Sequence, residues 1–196
     1  MDKFTTLNSV AAPFPQKNVD TDLIIRIERC TGTPREEIGK YAFEMARFNK
    51  DGSENPDFVL NRPRYRGAKI LVCGEFFGTG SSREMAVWAL AGLGIRALIA
   101  PSYGQIFYGN CFQNGLLPIV LPDVNDLMRQ AEHGAEFQID LEKQRINGEV
   151  RFDIAPRRKK MLLEGLDELG LTLAMAPKID AFEAADRARR PWIYPA

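Results

Sequence analysis

The feature that most constrains the fold is a regular alternation of patterns between residues 69 and 134. The short apolar runs KILVCG, IRALIAPS and LLPIVL alternate with three helix-like segments, SREMAVWALAGLG, YGQIFYGNCFQNG and PDVNDLMRQAEHG. Strand and helix in strict alternation are typical of a parallel sheet, because parallel neighbours need a crossover connection that covers the sheet. The middle of the chain therefore predicts an α/β fold with a mostly parallel sheet and flanking helices.

Further elements are expected on both sides of this region. Apolar runs at residues 4–10 and 19–27 predict two early strands separated by the breaker AAPFPQKN, and the pattern from Pro34 onward predicts a helix over residues 34–48. The segment FQIDLEKQRINGEVRFDI predicts an added β-hairpin that turns at Asn147-Gly148. A C-terminal helical extension begins at about Pro156, with its first helix over residues 156–165. We expect residues 1–196 to form a single domain.

Charge, apolar runs and cysteines limit the classes of function. Lysine plus arginine and aspartate plus glutamate number 26 each in 196 residues, so no net charge favours nucleic acid or an anionic membrane surface as a partner. No apolar run approaches the roughly 20 residues that span a bilayer, and the N-terminus resembles neither a signal nor a transit peptide. Three dispersed cysteines, Cys30, Cys73 and Cys111, without a CxxC pair predict reduced thiols in a cytoplasmic protein. No metal site is expected on this chain.

The glycine-rich turn FGTGSSRE lies between a predicted strand and a predicted helix. Such a turn presents free backbone N–H groups and the positive end of the helix dipole, which together favour an anion. The hydroxyls of Ser81 and Ser82 and the planar guanidinium of Arg83 would add donors suited to a carboxylate or a phosphate. The alternative is an ordinary capped helix with Arg83 in solvent. A cation is disfavoured in the first helical turn unless an anion offsets it, and this favours the anion site.

Better-known motifs do not account for this turn. The dinucleotide fingerprint fails because Arg83 stands at its last glycine, the phosphate loop lacks its lysine, and the nucleophile elbow fails at Glu84. The single histidine, His133, follows a polar helical segment and is expected to be a solvated residue. A Ser-His-Asp triad is therefore not predicted.

Four segments in the same order resemble one known family. FGTGSSRE resembles the FGxGSSRE signature of the aconitase-type swivel domain, and NVDTDLII is similar to the NxDTDxII element of that family. The segments DGSENPDFVLNRPRYR and IFYGNCFQNGLLPI are similar to the small subunits of bacterial 3-isopropylmalate dehydratases, as are GLDELGLTL and the final RPW. The resemblance covers nearly the whole chain, and it implies a swivelling β/β/α domain of the aconitase C-terminal type.

The resemblance also implies an activity and its residues. It implies a heteromeric hydro-lyase of leucine biosynthesis that isomerises 2-isopropylmalate to 3-isopropylmalate, inactive without a large subunit that carries a [4Fe-4S] cluster. The complex would be a heterodimer or a heterotetramer. By position, Ser81 becomes the general base, Ser82 and Arg83 bind a substrate carboxylate, and Asp20, Thr21 and Asp22 line the cleft. For these last three, a strand-end turn held by side-chain bonds to the backbone is an equal alternative.

Some positions depart from the pattern of that family. The family usually has histidine where this chain has Met85, commonly cysteine at Thr79, and a Pro-Lys pair at Arg26 and Ile27. The segment that contains Arg26, Ile27 and Arg29 is implied to select the substrate side chain. Met85 either packs in the interior, which we favour, or changes the polarity and pH dependence of the site. A related hydro-lyase acting on a citramalate-type or dimethylmalate-type substrate, and a non-catalytic anion-binding paralogue, are the alternative functions.

Overall fold

A single sheet organises the computed structural model, which describes residues 1–80 and 83–194. Within these residues seven strands pair in the order β4-β3-β2-β1-β5-β6-β7. The strands are Thr6–Phe14 (β1), Ile70–Cys73 (β2), Ala97–Ala100 (β3), Leu117–Val120 (β4), Glu136–Asp140 (β5), Arg145–Ile146 (β6) and Val150–Arg151 (β7).

Helices cover the sheet and extend the chain beyond it. They are Thr21–Ile24 (α1), Ile27–Cys30 (α2), Glu44–Arg47 (α3), Glu84–Gly92 (α4), Gln105–Gln113 (α5), Asn125–Glu132 (α6), Pro156–Glu164 (α7), Glu168–Leu173 (α8) and Ala176–Arg189 (α9). Short 3₁₀ turns lie at Ile38–Tyr41, Val59–Asn61, Pro63–Tyr65 and Pro191–Ile193. In the described part of the chain, no helix is both long enough and apolar enough to cross a bilayer.

The four strands β4, β3, β2 and β1 run parallel, which confirms the predicted parallel region. Side chains alternate between two cores: Leu71 and Leu98 face one cluster, and Ile70 and Ile99 face the other. Helices α1 and α4 contribute to the first cluster, α6 and α7 to the second, and α5 to both. Burial on both faces explains why these strands are continuous apolar runs rather than alternating ones.

Strand β1 joins the two parts of the sheet. Residues 11–14 pair parallel with β2, and residues 6–10 pair antiparallel with β5. The strand thus continues through AAPF, where the sequence predicted a break. Because β5 pairs only with residues 6–10, Pro13 lies where β1 has one strand neighbour, and a missing N–H is tolerated there.

The added antiparallel part has one more turn than expected. The predicted turn at Asn147-Gly148 is confirmed, since both residues have the positive φ values, 53° and 75°, that a type I′ turn requires. It joins β6 to β7, and β6 also pairs with β5 to form a three-stranded meander. The predicted helix after Pro156 is confirmed as α7, with Gly165 at its C-cap (φ 71°).

The second early strand was a wrong prediction. Residues 19–27 contain α1 and the start of α2 instead, because Asp20 caps α1 by accepting a 2.7 Å bond from the Leu23 N–H. The N–H of Thr21 donates to the Thr79 carbonyl at 2.9 Å, so this segment bonds to the glycine-rich turn rather than to a strand partner. The side-chain cap at Asp20 therefore favours a helix in a segment whose apolar pattern predicted a strand.

The predicted helix over residues 34–48 is also largely wrong. The segment contains the 3₁₀ turn Ile38–Tyr41 and the short α3, with Phe43 in the left-handed region at φ 54° between them. Phe43 is fully buried, its ring centroid lies 5.2 Å from that of Phe14, and its N–H donates to the Ile24 carbonyl at 2.8 Å. Burial of this ring in the core interrupts the helix that local propensity favours.

Candidate active site

The candidate site lies at the carboxyl edge of the parallel strands. The carbonyl of Val19, beyond β1, accepts bonds from the N–H groups of Gly78 and Thr79 at 2.7 and 3.0 Å. Beyond β3, the carbonyl of Ser102 accepts a 3.1 Å bond from the N–H of Phe77. The carbonyl of Phe77 in turn accepts a 2.9 Å bond from the N–H of Gly104. The loops after β1, β2 and β3 are therefore fastened together, at the edge where ligands bind in parallel α/β sheets.

Close packing requires glycine in the turn after β2. Gly78 has φ 72°, and a Cβ there would lie 2.2 Å from the ring of Phe107 in α5. A side chain at Gly78 would meet both a left-handed backbone and a buried aromatic ring. The position of the turn is thus fixed by contact with α5.

Arg83 is the described residue of the turn that bears positive charge. It occupies the N-cap position, and α4 begins at Glu84. Its side chain is 19% exposed and pairs with the carboxylate of Asp22 in α1. Arg83 therefore does not extend into solvent as an ordinary capped helix would allow. Ser81 and Ser82 lie outside the described residues.

The three residues predicted to line the cleft have different environments. The carboxylate of Asp20 caps α1, as the strand-end alternative proposed, while Asp22 is 57% exposed and holds Arg83. Thr21 is buried, with 1% of its surface exposed. The structure thus brings Asp22 and Arg83 together. Asp20 and Thr21 directly precede Asp22 in the chain. A guanidinium has five N–H donors, so Arg83 can hold Asp22 and still bind a second carboxylate.

Cys30 is a neighbour of this ion pair that the sequence did not indicate. Burial, the larger effect, raises the pKa of the Cys30 thiol, and the charge of Arg83 opposes that change. Its Sγ lies 3.4 Å from the carbonyl of Arg26, one turn earlier. Cys30 and Arg83 are far apart in the chain, so no local pattern could have paired them.

The predicted selectivity residues lie on and beside α2. Arg29 bonds Glu44 through two contacts of 2.9 and 2.5 Å and stacks over Tyr41, so it fastens α2 to α3. The bond from Arg29 lowers the pKa of Glu44. Ile27, by contrast, is 52% exposed and accessible to a ligand or a partner.

Arg26 faces a groove that sequence reasoning missed. Its guanidinium contacts Glu28 at 3.0 Å and the sulfur of Met45 at 3.6 Å. The groove has a volume of about 610 Å³, and Lys40, Tyr41, Glu44, Met45 and Phe48 line it with Arg26. The residues from α3 could not be foreseen because the segment 34–48 was predicted as one helix.

The remaining candidates have structural surroundings. Met85 is half-buried and packs against the first core cluster, as favoured from the sequence. His133 is exposed beyond the end of α6. Cys73 and Cys111 are fully buried, and burial raises their pKa values well above the ordinary range. Among residues 1–80 and 83–194, no three His, Cys, Asp or Glu side chains converge to hold a metal, so the described thiols do not fit an iron–sulfur cluster.

Comparison with known proteins first defines the class of domain. The profile of the aconitase C-terminal domain matches residues 1–124. A second profile, which describes the C-terminal domain of the small subunit of 3-isopropylmalate dehydratase, matches residues 169–196. The first match includes β1 to β4 and the glycine-rich turn, and the second includes most of α8 and all of α9.

Full-length relatives then define the family. The 3-isopropylmalate dehydratase small subunits of Afipia carboxidovorans and Jannaschia sp. are each 52% identical over 98% of this chain and 100% of their own length. The crystal structure of 3-isopropylmalate dehydratase (leuD) from Methanocaldococcus jannaschii is 26% identical, with a TM-score of 0.67, and covers 91% of this chain and 99% of its own. The chain belongs to the family of 3-isopropylmalate dehydratase small subunits.

Proposed function

We propose that this chain is the small subunit of a two-component hydro-lyase that isomerises 2-isopropylmalate to 3-isopropylmalate by dehydration and rehydration in leucine biosynthesis. The observation that carries the proposal is the 52% identity over 98% of the chain to relatives that bear this small-subunit name. The largely buried Arg83 supports it, because its guanidinium can hold Asp22 and still bind one of the two carboxylates of a substituted malate.

In this proposal Ser81 is the general base, and Ser82 and Arg83 bind one substrate carboxylate. Serine can lose its proton at neutral pH only where positive charge and N–H donors stabilise the oxygen. The start of α4 and the largely buried guanidinium of Arg83 would supply both, since they directly follow the serines in the chain. Asp22 holds Arg83 in an ion pair, and the cap at Asp20 fixes the segment that bears Asp22.

The proposal assigns the [4Fe-4S] cluster to a large subunit. Cys73 and Cys111 are enclosed in the core, and no three His, Cys, Asp or Glu side chains converge among the described residues, so the described thiols offer no ligand set for it. The chain would be inactive alone and active as a cytoplasmic heterodimer or heterotetramer. Residues 1–196 would act as one swivelling domain that closes the site from the side opposite the cluster.

A substitution at Ser81 tests the assignment of the base. In the complex reconstituted with a large subunit, Ser81→Ala should lower kcat by roughly 10²–10⁴-fold and leave KM nearly unchanged, because only proton transfer is removed. Ser53→Ala, in the exposed turn near Asp51, is the matched control and should keep normal kinetics. Normal turnover of 2-isopropylmalate by the Ser81 variant would show that another group removes the proton.

A further inference from the structure

The side-chain amide of Asn114, the C-cap residue of α5, binds four groups from three parts of the chain, which are the segment after α2, helix α4 and helix α5 itself. Its Oδ1 accepts from Arg35 at 2.6 Å and from the indole N–H of Trp88 at 2.9 Å. Its Nδ2 donates to the carboxylate of Glu84 at 2.8 Å and to the carbonyl of Asn110 at 2.9 Å. An amide has two acceptor positions and two donor hydrogens, so its capacity is fully used.

This cluster reaches the start of the helix that bears the candidate site. Glu84 is the first residue of α4 and directly follows Arg83. Trp88 lies one turn further along α4, and the guanidinium of Arg35 stacks over its ring at 4.8 Å. Arg35 thus fastens the segment between α2 and the 3₁₀ turn Ile38–Tyr41 to both α4 and α5.

The charge of Glu84 makes its orientation matter for anion binding. A carboxylate is favoured near the N-terminus of a helix for the same reason that a bound anion is. If the Glu84 side chain turned toward the glycine-rich turn, it would compete with a substrate carboxylate for Arg83 and for the free N–H groups. The bond from Asn114 directs the carboxylate toward α5 instead, and Arg35 adds positive charge on that side.

We propose that Asn114, supported by Arg35 and Trp88, is a positioning residue that keeps the Glu84 carboxylate away from the site and so lets a substrate carboxylate bind at Arg83. The inference rests on the proposed function, since it concerns binding of a malate-type substrate. It assigns no contact between Asn114 and the substrate.

The test measures kcat and KM for 2-isopropylmalate in the reconstituted complex. Asn114→Ala should raise KM about tenfold, the effect expected when a charge-assisted hydrogen bond is lost and a competing anion is released, with kcat within about twofold. Glu84→Gln removes the competing charge, so adding Asn114→Ala to Glu84→Gln should change KM by less than about twofold.

Control variants separate positioning from simple stability. Gln113→Ala alters the adjacent residue of α5, whose side chain accepts a 3.2 Å bond from the Glu168 N–H, and it should leave KM unchanged. Asn114→Asp keeps the shape of the side chain but replaces the donor to Glu84 with an acceptor, so it should also raise KM if Asn114→Ala fails to fold.

The outcomes distinguish this inference from the proposed function. A wild-type complex that does not convert 2-isopropylmalate contradicts the proposed function, and calorimetric binding of malate to the same variants still measures the coupling of Asn114 to Glu84. If KM or the malate Kd rises equally with and without Glu84→Gln, or if Asn114→Ala lowers only the melting temperature, the positioning role is wrong.

Discussion

Gly78→Ala should destabilise the chain because two separate constraints meet at this position. The backbone has φ 72°, and an added Cβ would lie 2.2 Å from the buried ring of Phe107. A side chain in the left-handed region costs about 1–2 kcal/mol, and forcing a carbon into a packed core costs roughly 1–3 kcal/mol. We expect a loss of about 2–5 kcal/mol, which for a chain of this size lowers the melting temperature by about 5–20 °C.

Two other glycines separate the constraints. Gly32 has φ 80° with nothing within 4 Å of an added Cβ, so Gly32→Ala should lose only the backbone contribution of about 1–2 kcal/mol. Gly109 lies inside α5 with nothing within 4 Å, and Gly109→Ala should stabilise the chain by about 0.5–1 kcal/mol. Thermal and urea unfolding of the three variants measure these differences. Equal losses for Gly78→Ala and Gly32→Ala would refute the argument from contact with Phe107.

Four further predictions concern charge, pH, selectivity and iron. Arg83→Lys should lower kcat/KM for any malate-type substrate, because an ammonium cannot hold Asp22 and a substrate carboxylate as a planar fork does; unchanged kcat/KM would contradict carboxylate binding at this position. Arg190, the largest cause, lowers the pKa of Asp186 to about 2, so the stability from this carboxylate is present above its ordinary pKa of 3.8 and is lost as the pH falls to about 2. The difference in unfolding free energy between wild type and Asp186→Asn should shrink over that range, and a constant difference would show that the charge is not responsible. Exchanging residues 26–41 for the usual family sequence should change the preference among 2-isopropylmalate, citramalate and dimethylmalate; an unchanged preference would make Met85 the better candidate. The purified chain alone should show neither cluster absorbance nor hydratase activity, and a brown, active chain would contradict the two-component proposal.

The parallel part of the sheet and one turn of its antiparallel part were predictable because their signals are local and agree with one another. Apolar runs that can be buried on both faces, helices between them, and a type I′ turn at Asn147-Gly148 are each specified within a few residues. The segments 19–27 and 34–48, where the predicted strand and the predicted helix were wrong, were not predictable in this way. Their structure depends on the cap at Asp20 and on the burial of Phe43 against Phe14, and Phe43 and Phe14 come from distant parts of the sequence.

The candidate site was likewise predictable only where its residues are close together in the sequence. Arg83 and the glycine-rich turn were recognisable because their residues are contiguous. The pairing of Arg83 with Asp22, the contact of Arg26 with Met45, and the bond of Asn114 to Glu84 join residues separated by 61, 19 and 30 positions. No periodicity in the sequence reports such contacts, which arise only when the chain has folded.

The two-way pairing of β1 bears on the order in which the protein can fold during synthesis. The strand leaves the ribosome before its partners, since its parallel partner begins at Ile70 and its antiparallel partner lies at Glu136–Asp140. Domains fold as units during synthesis, and pairings between distant segments slow folding. Most of the chain must therefore emerge before β1 can pair on both sides. Until then the nascent chain exposes an unpaired apolar strand, so chaperone binding should be strongest before β5 appears.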